Sequence, residues 1–376
     1  MKKLTESQLE KLAMTSDREL LNEFPGFTRA YLRGVKAKLP PIKDIIAKDR
    51  KFESLKDDYS LVESKYKKLL ELNKFVEDKY DALLSLNNYD DTFVIEPKEK
   101  SETGEATAVL LLSDVHYEEK VLKSATNGLN EYNLEIADKR LNNFFTNSVK
   151  MINIQKTAIK INHIILALLG DFISGNIHEE LLENTNLLPM EAIIAVQSRI
   201  IAGIEYLLAN TDCDITIPCH SGNHARITDK VHIATEKGNS LEYLMFHSIA
   251  ARFSGEKRVK FLISESYLSY VKVYDWTIRF QHGHFIKFNG GVGGIYIPIN
   301  KSIAQWNKSK HADIDCIAHY HQFKDGGNFI TNGSVIGCNS YSISKIKGDY
   351  EEPKQGFFLI DKKRGKTIVA PIFLDK

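Results

Sequence analysis

Cysteine is scarce in this chain: four in 376 residues, Cys213, Cys219, Cys316 and Cys338, with no CxxC pair among them. That pattern reads as buried thiols in a reducing compartment and not as a disulfide frame. Long hydrophobic runs are missing too, since no stretch reaches the ~18 apolar residues of a membrane span. The opening segment MKKLTESQLEKLA has basic residues but lacks the apolar stretch of a signal peptide. These absences lead to the expectation of an intracellular, cytoplasmic protein without a membrane partner. A charge excess is also lacking. With 50 basic and 49 acidic residues and a net charge of +1, overall charge says nothing about a nucleic-acid partner, and only local charge could. What is present is ordinary for a globular protein: 43% hydrophobic and 26% charged residues, in a length that allows one large domain plus accessories.

Three regions follow one another. Residues 1–41 read as short helices. Ser16 or Asp17 can cap DRELLNEF, Pro25-Gly26 breaks it, and Thr28 can cap RAYLRGVKAKL before Pro40-Pro41. Two helices joined by a Gly-containing turn match a helix-turn-helix. From Thr28 to Lys43 there are Arg29, Arg33, Lys36, Lys38 and Lys43 and no acidic residue, as a DNA-facing helix requires; a protein-docking module is the alternative. Residues 42–86 read as one long helix with a heptad repeat. One seam holds Ile45, Phe52, Tyr59, Tyr66, Asn73 and Tyr80; the other holds Lys48, Leu55, Val62, Leu69, Val76 and Leu83. Such seams predict a coiled coil and a homo-oligomer, a dimer in the simplest case. Residues 87–105 are polar and turn-prone and read as a linker.

Residues 106–376 alternate strands and helices. ATAVLLLSD, HIILALLGD, DITIPCHSGN, YVKVYDWTIRFQHG, CIAHYH and GFFLIDKK read as strands, with three amphipathic helices among them. The order begins β-α-β-α-β and later turns to strands alone, which predicts parallel pairing first and antiparallel additions afterwards.

Five pieces of this region carry metal-binding residue types. They are Asp114 and His116 in LLLSDVHY, Asp171 in ALLGDFISG, Asn223 and His224 in HSGNHAR, His282 and His284 in FQHGHF, and His319 and His321 in IAHYHQ. Asp114, Asp171 and Asn223 each follow a hydrophobic run, where open α/β sheets place their sites. A carboxylate, imidazole and amide set suits Mn²⁺, Fe or Zn²⁺ better than an all-oxygen Mg²⁺ or Ca²⁺ site. Seven candidate ligands fit two ions sharing one carboxylate, and paired ions are a recurring device for attack on phosphorus. Any one piece alone could be a turn or a packing residue.

Together these motifs resemble the calcineurin-like metallophosphoesterase superfamily, whose pattern runs DxH, GDxxD, GNH[DE], a lone His before Gly, then GHxH. More narrowly, GDFISGNIHEELLENTNLLPMEA, GNHARITDKVHIATEKGNSLEY, GGVGGIYIPINKSIAQW and NGSVIG resemble bacteriophage and prophage members. The resemblance spans residues 106–376 and implies a four-layer α/β sandwich with two facing mixed sheets and the metals at their edge. It implies one ion on Asp114, His116, Asp171 and His321, and a second on Asp171, Asn223, His282 and His319. A hydroxide shared between the ions would attack phosphorus in line. His224 matches the histidine that stabilises the transition state or protonates the leaving oxygen.

Three departures from the pattern stand out. Ser174 replaces the second Asp of GDxxD, Ala225 replaces the acidic residue after GNH, and AHYH replaces GHxH. Arg226 could hold phosphate instead. His284 reads as a second-layer or substrate-facing residue, His178 as a pocket-lining one, and Lys301 and Trp306 as flanks of the GGVGG loop for phosphate contact and base stacking. The reading that follows is a two-metal phosphodiesterase acting on DNA. The alternatives are a phosphomonoesterase or protein phosphatase with an N-terminal docking module, and a catalytically silent DNA-binding or assembly protein.

Overall fold

The computed structural model describes residues 4–39, 51, 54–68, 70, 92–97, 104–177, 183–288, 293–340, 342–343 and 350–375. The chain divides into two compact units, Met1–Asp81 and Ala82–Lys376.

The first unit contains α1 (Glu6–Met14), α2 (Leu20–Glu23), α3 (Arg29–Lys36) and a helix, α4, at 54–68. Gln8 Oε1 accepts from the N–H of Thr5 at 3.0 Å and fixes the start of α1. Thr28 caps α3 by accepting from the Tyr31 N–H at 3.4 Å. The expected cap at Ser16 or Asp17 does not form, and α2 is a single turn. Ser16 instead donates to Glu19 at 2.6 Å, and Asp17 pairs with Arg33 at 3.1 Å and Lys36 at 3.4 Å. Leu12, Leu20, Phe24 and Leu32 make a small core. On α4 the heptad residues Leu55, Tyr59, Val62 and Tyr66 are all exposed, Tyr59 at 70%. The other seam positions, Lys43, and 87–91 lie outside the described residues.

The second unit is built on two six-stranded mixed sheets. Its strands are β1 (Thr92–Ile95), β2 (Glu105–Leu112), β3 (Lys160–Leu168), β4 (Asp214–Cys219), β5 (Val259–Ile263), β6 (Ser269–Val273), β7 (Trp276–Gln281), β8 (Ile314–Ile317), β9 (Lys324–Asp325), β10 (Phe329–Thr331), β11 (Lys354–Asp361) and β12 (Gly365–Phe373). Sheet I runs β12-β11-β2-β3-β4-β5: β2 to β5 are parallel, and β11 and β12 add antiparallel. Sheet II runs β1-β6-β7-β8-β10-β9.

The central strands of sheet I are apolar throughout because both faces are covered. Ala108, Leu110 and Leu112 of β2 and Ile164, Leu166 and Leu168 of β3 face a core shared with α5 (Leu134–Lys156), α6 (Pro189–Asn210) and α7 (Leu241–Arg252). The alternate residues Val109, Leu111, Ile165 and Ala167 face sheet II, meeting Val271, Ile278 and Phe280. On the far side of sheet II, α8 (Tyr296–Trp306) packs Ile299 and Ile303 against Ile317 and Phe329. The order is helices, sheet, sheet, helix, which is the four-layer sandwich expected from the sequence.

Some elements differ from expectation. Thr92–Ile95, placed in a linker, pairs parallel with β6; its β-branched and aromatic residues suit a strand. The run YVKVYDWTIRFQHG is a hairpin, β6 and β7, turning at Tyr274 with φ 55°. One helix, Pro189–Asn210, is long and apolar enough to cross a membrane by length and composition. It buries Ala192, Val196, Ile200, Gly203 and Leu207 in the sandwich core. Cys213, Cys219 and Cys316 are buried free thiols, and Cys338 is half-buried.

Candidate metal centre

The carboxyl ends of β2, β3, β4, β7 and β8 deliver the predicted residues to one place. Strand β2 ends at Leu112, β3 at Leu168 and β8 at Ile317, and in each case the next few residues leave the extended conformation abruptly. Asp114 (φ 51°), His116 (47°), Asp171 (53°), His319 (73°) and His321 (55°) all sit in the left-handed region. Only two other non-glycine residues among those described, Asn127 and Tyr274, do so. Such backbone costs about 1–3 kcal/mol per residue and persists where surrounding structure imposes it, most often at functional sites.

Glycines make the close approach possible. A Cβ on Gly222 would lie 2.0 Å from Asp171 Oδ1, and one on Gly170 (φ 88°) would lie 2.3 Å from the Gly222 nitrogen. Glu242, at the start of α7, holds the same two loops by accepting from the N–H of Phe172 (2.6 Å) and of Gly222 (2.7 Å). Burial and the neighbouring Asp171 charge push its carboxyl up to about 8.

Three donor groups form there, the atoms within each lying within 4.8 Å of one another: Asp114, His116 and His321; His116, Asp171 and His224; and Asp171, His282 and His319. In Asp114, His116 and His282 one polar atom is held and the other is bare. Asp114 Oδ2 accepts from Ser113 Oγ (2.6 Å) and the His319 N–H (3.2 Å), while Oδ1 has no hydrogen-bond partner and lies 3.3 Å from His321 Nε2. His282 donates from Nδ1 to the Leu169 carbonyl at 2.6 Å, and its buried Nε2 makes no hydrogen bond, standing 3.0 Å from Asp171 Oδ2. His116 Nε2 and Asn223 Oδ1 are likewise buried and unpartnered. A lone unpaired buried polar atom costs about 1–3 kcal/mol, so four converging ones fit a cation that completes them.

Electrostatics point the same way. Burial alone would raise the Asp171 carboxyl, but the facing His282 and His224 hold it well below the usual range. Burial pushes the His282 imidazole down, and Asp171 lifts it past its usual value to about 10, so without a metal the ring is held as a cation against Asp171, in a place that a metal ion would take over. Burial, with a contribution from the His282 charge, lowers His319 to about 3, which keeps its lone pair available as a ligand's must be.

The remaining predicted residues divide. His224 Nδ1 donates to the Ser174 carbonyl at 3.1 Å, and its backbone N–H donates to Asp171 Oδ1 at 2.8 Å. A backbone carbonyl thus orients the ring where Ala225 offers no carboxylate. His284 stands outside the three donor groups, packed on Tyr267 and Phe285, with both ring nitrogens buried and unpartnered. Arg226 does not present a phosphate fork. Its guanidinium donates to the carbonyls of Asn223, Thr228 (3.0 Å) and Asp229 (3.1 Å), closing its own loop. Lys301 lies exposed on α8. Trp306 lies under Arg279, 5.1 Å from ring centre to guanidinium, and Arg279 in turn pairs with buried Asp315 at 2.6 Å, so Trp306 is a packing residue and not a base platform. His178 lies outside the described residues, as do Gly290, Gly291 and Val292 of the GGVGG loop. In the first unit, Arg33 and Lys36 are engaged with Asp17, whereas Arg29 and Lys38 are exposed. A cleft lined by His220, Ser221, Glu236, Tyr243, Tyr267 and His282 opens beside the third donor group.

Sequence reasoning missed the residues that hold the donors: Ser113, Glu119, Glu242, Asn332 and Gln355. Asn332 Nδ2 donates to Ser113 Oγ (2.8 Å) and to Gln355 Oε1 (2.7 Å), a buried network beneath Asp114. The motif NGSVIG contains Asn332, but nothing in the sequence assigns that residue a partner.

Fold and site together define a four-layer α/β sandwich with a buried carboxylate, imidazole and amide donor set at its sheet edge. No protein-family model matches the chain, and no curated protein does. Among solved structures, a hypothetical protein of Pyrococcus horikoshii OT3 aligns over 72% of this chain and 89% of its own, with 12% identity and a TM-score of 0.36. A dimetal phosphatase of Danio rerio aligns over 72% and 99%, with 8% identity and a TM-score of 0.33. A predicted phosphoesterase of Streptococcus pneumoniae TIGR4 aligns over 68% and 84%, with 11% identity and a TM-score of 0.26. Likeness this slight decides nothing about activity; the site's own residues must.

Proposed function

We propose that this chain is a two-metal phosphoesterase whose substrate is a phosphodiester of DNA. The observation that carries the hydrolytic reading is the set of bare, buried donor atoms on Asp114, His116 and His282, each held from behind, with Asn223 Oδ1 buried and unpartnered as well. Asp114, His116, Asp171 and His321 would hold one divalent ion, and Asp171, Asn223, His282 and His319 the other, with Mn²⁺ preferred over Fe and Zn²⁺. Such ions supply Lewis-acid polarisation of phosphoryl oxygen and a water acidified toward neutrality.

The chain's own residues do the rest. The Leu169 carbonyl takes the Nδ1 proton of His282, so Nε2 is the atom that would give up its proton to a metal. Asp171 is the residue shared by the second and third donor groups, so its two oxygens can serve both sides. The Ser174 carbonyl holds the proton of His224 Nδ1 outward, leaving Nε2 as the atom to stabilise charge on phosphorus or to give a proton to the leaving oxygen.

DNA as substrate rests on the exposed Arg29 of α3 and Lys38 just after it, and on a dimer through residues 42–86, for which the exposed Leu55, Tyr59, Val62 and Tyr66 speak. The engagement of Arg33 and Lys36 with Asp17 favours the second reading, in which the helical unit docks protein and the site removes phosphate monoesters. Purified protein with Mn²⁺ should cut DNA, and Asp171→Ala and His224→Ala should not. A wild-type protein that cuts neither single- nor double-stranded DNA sinks the nuclease reading. Turnover of nitrophenyl phosphate but not of its bis-ester favours the monoesterase.

A further inference from the structure

We infer that Glu118 and Glu119 form a clamp on the Ser174–Gly175 turn, and that this clamp positions His116 and His224. The roles of those two histidines rest on the function proposed above; the clamp itself rests on hydrogen bonds.

Glu119 can only accept. Its Oε2 takes the hydroxyl proton of Ser174 at 2.8 Å, and its Oε1 takes a proton from Asn339 Nδ2 at 2.9 Å. With its proton committed to Glu119, Ser174 Oγ must accept from His116, whose Nδ1 lies 2.8 Å away. The proton of the neutral His116 ring is therefore on Nδ1, and the lone pair is on the buried, unpartnered Nε2. The next residue is held as firmly, because the Gly175 N–H donates to Glu118 Oε1 at 2.7 Å.

That second grip reaches His224. Gly175 has φ 64°, and a Cβ there would lie 2.7 Å from the His224 carbonyl oxygen. Ser174 therefore faces two rings at once, offering its hydroxyl to His116 and its carbonyl to His224 Nδ1. The rings meet edge to face with centres 4.8 Å apart. Neither Ser174 nor Ala225 brings a carboxylate to this corner. Glu118 and Glu119 bring two from the loop after β2, and act through the turn. They are positioning residues, since neither belongs to a donor group.

The test uses full-length, metal-free protein and imidazole ¹⁵N NMR, with the His116 signals assigned by their loss in His116→Gln. Wild type should show a protonated Nδ1 and a pyridine-like Nε2. Ser174→Ala and Glu119→Gln should mix the two tautomers, because an amide at 119 can donate to Ser174 and let its hydroxyl turn round. Ser174→Thr should restore the wild-type signature. Mn²⁺ affinity by calorimetry should weaken about 10- to 100-fold in Ser174→Ala and recover in Ser174→Thr. A protonated Nε2 in wild type, or an unchanged signature and affinity in folded Glu119→Gln, would overturn the clamp. Should Ser174→Ala fail to fold, Glu119→Gln and Ser174→Thr still decide. A protein that hydrolyses no phosphoester but loses the Nδ1–H signature in Glu119→Gln removes the enzymatic reading and supports the clamp.

Discussion

The donor site of the sandwich and the basic helix of the N-terminal unit treat their polar groups in opposite ways. At the site, Asp114 Oδ1, His116 Nε2, Asn223 Oδ1 and His282 Nε2 are buried without partners, and Asp114 and His116 sit on strained backbone. In the helical unit, α3 is an ordinary capped helix, and two of its cations already pair with Asp17 in solvent. Exposed pairs of that kind are worth little, about 0–1 kcal/mol, and can be exchanged for a ligand at small cost. Groups kept unsatisfied against their own stability point to a bound partner far more strongly than groups that merely carry charge. The hydrolytic half of the functional reading is accordingly the stronger half.

The largest effect should come from removing the shared carboxylate. Asp171→Ala should lower hydrolysis by about 10²–10³-fold or more, while its metal-free form stays folded, as read by steady-state kinetics and thermal melting. Next, Gly222→Ala would drive a Cβ to 2.0 Å from Asp171 Oδ1. Displacement of about 1 Å can cost about 100-fold in rate, so kinetics should approach those of Asp171→Ala with every donor still present. Both changes act on the site and should leave the helical unit's circular dichroism untouched.

The converse experiment breaks the other region. Leu32 is fully buried in a four-residue core, and truncating such a leucine costs about 2–5 kcal/mol. Leu32→Ala should melt α1 to α3, seen as protease sensitivity, without changing turnover of a small bis-ester. If it abolishes that turnover, the two regions are not separable in function. Smaller still, Arg29→Ala or Lys38→Ala should each reduce the slope of DNA affinity against salt by about 1 if the residue meets a phosphate. Arg33→Ala should matter less, because Asp17 engages it.

A separate check, apart from catalysis and DNA binding, is acid stability. Burial holds the His220 imidazole, bonded to Ser269 Oγ at 2.7 Å, down at about 3, against about 6.5 unfolded. A depressed folded-state value means the neutral ring's contribution is complete above pH 6.5 and lost as pH falls toward 3. His220→Asn should therefore flatten the fall in unfolding free energy from urea titrations over that window, by up to about 1.4 kcal/mol per pH unit.

The fold was legible where residue pattern and burial coincide. VLLLSD and IILALLGD are apolar on both faces because both faces are covered, and their ends mark Asp114 and Asp171. Thr92–Ile95 was not legible, since a four-residue strand between polar stretches gains its identity only from β6. The donors were legible because coordination needs particular residue types. Their supports were not. Glu119, Glu242 and Asn332 are common polar residues whose role exists only once the segments after β2, β3, β4 and β10 meet. Arg226 was not decidable for the related reason that a guanidinium beside a site can also fold its own loop, and here it donates to loop carbonyls.

The central claim is that seven side chains make one two-ion centre bridged by Asp171. Counting Mn²⁺ bound per chain by calorimetry, in wild type and in Asp171→Ala, tests it most directly. The account predicts two ions in wild type and loss of at least one in the variant, with hydrolysis lost alongside. Fewer than two ions in wild type, or unchanged stoichiometry and affinity without Asp171, would contradict it.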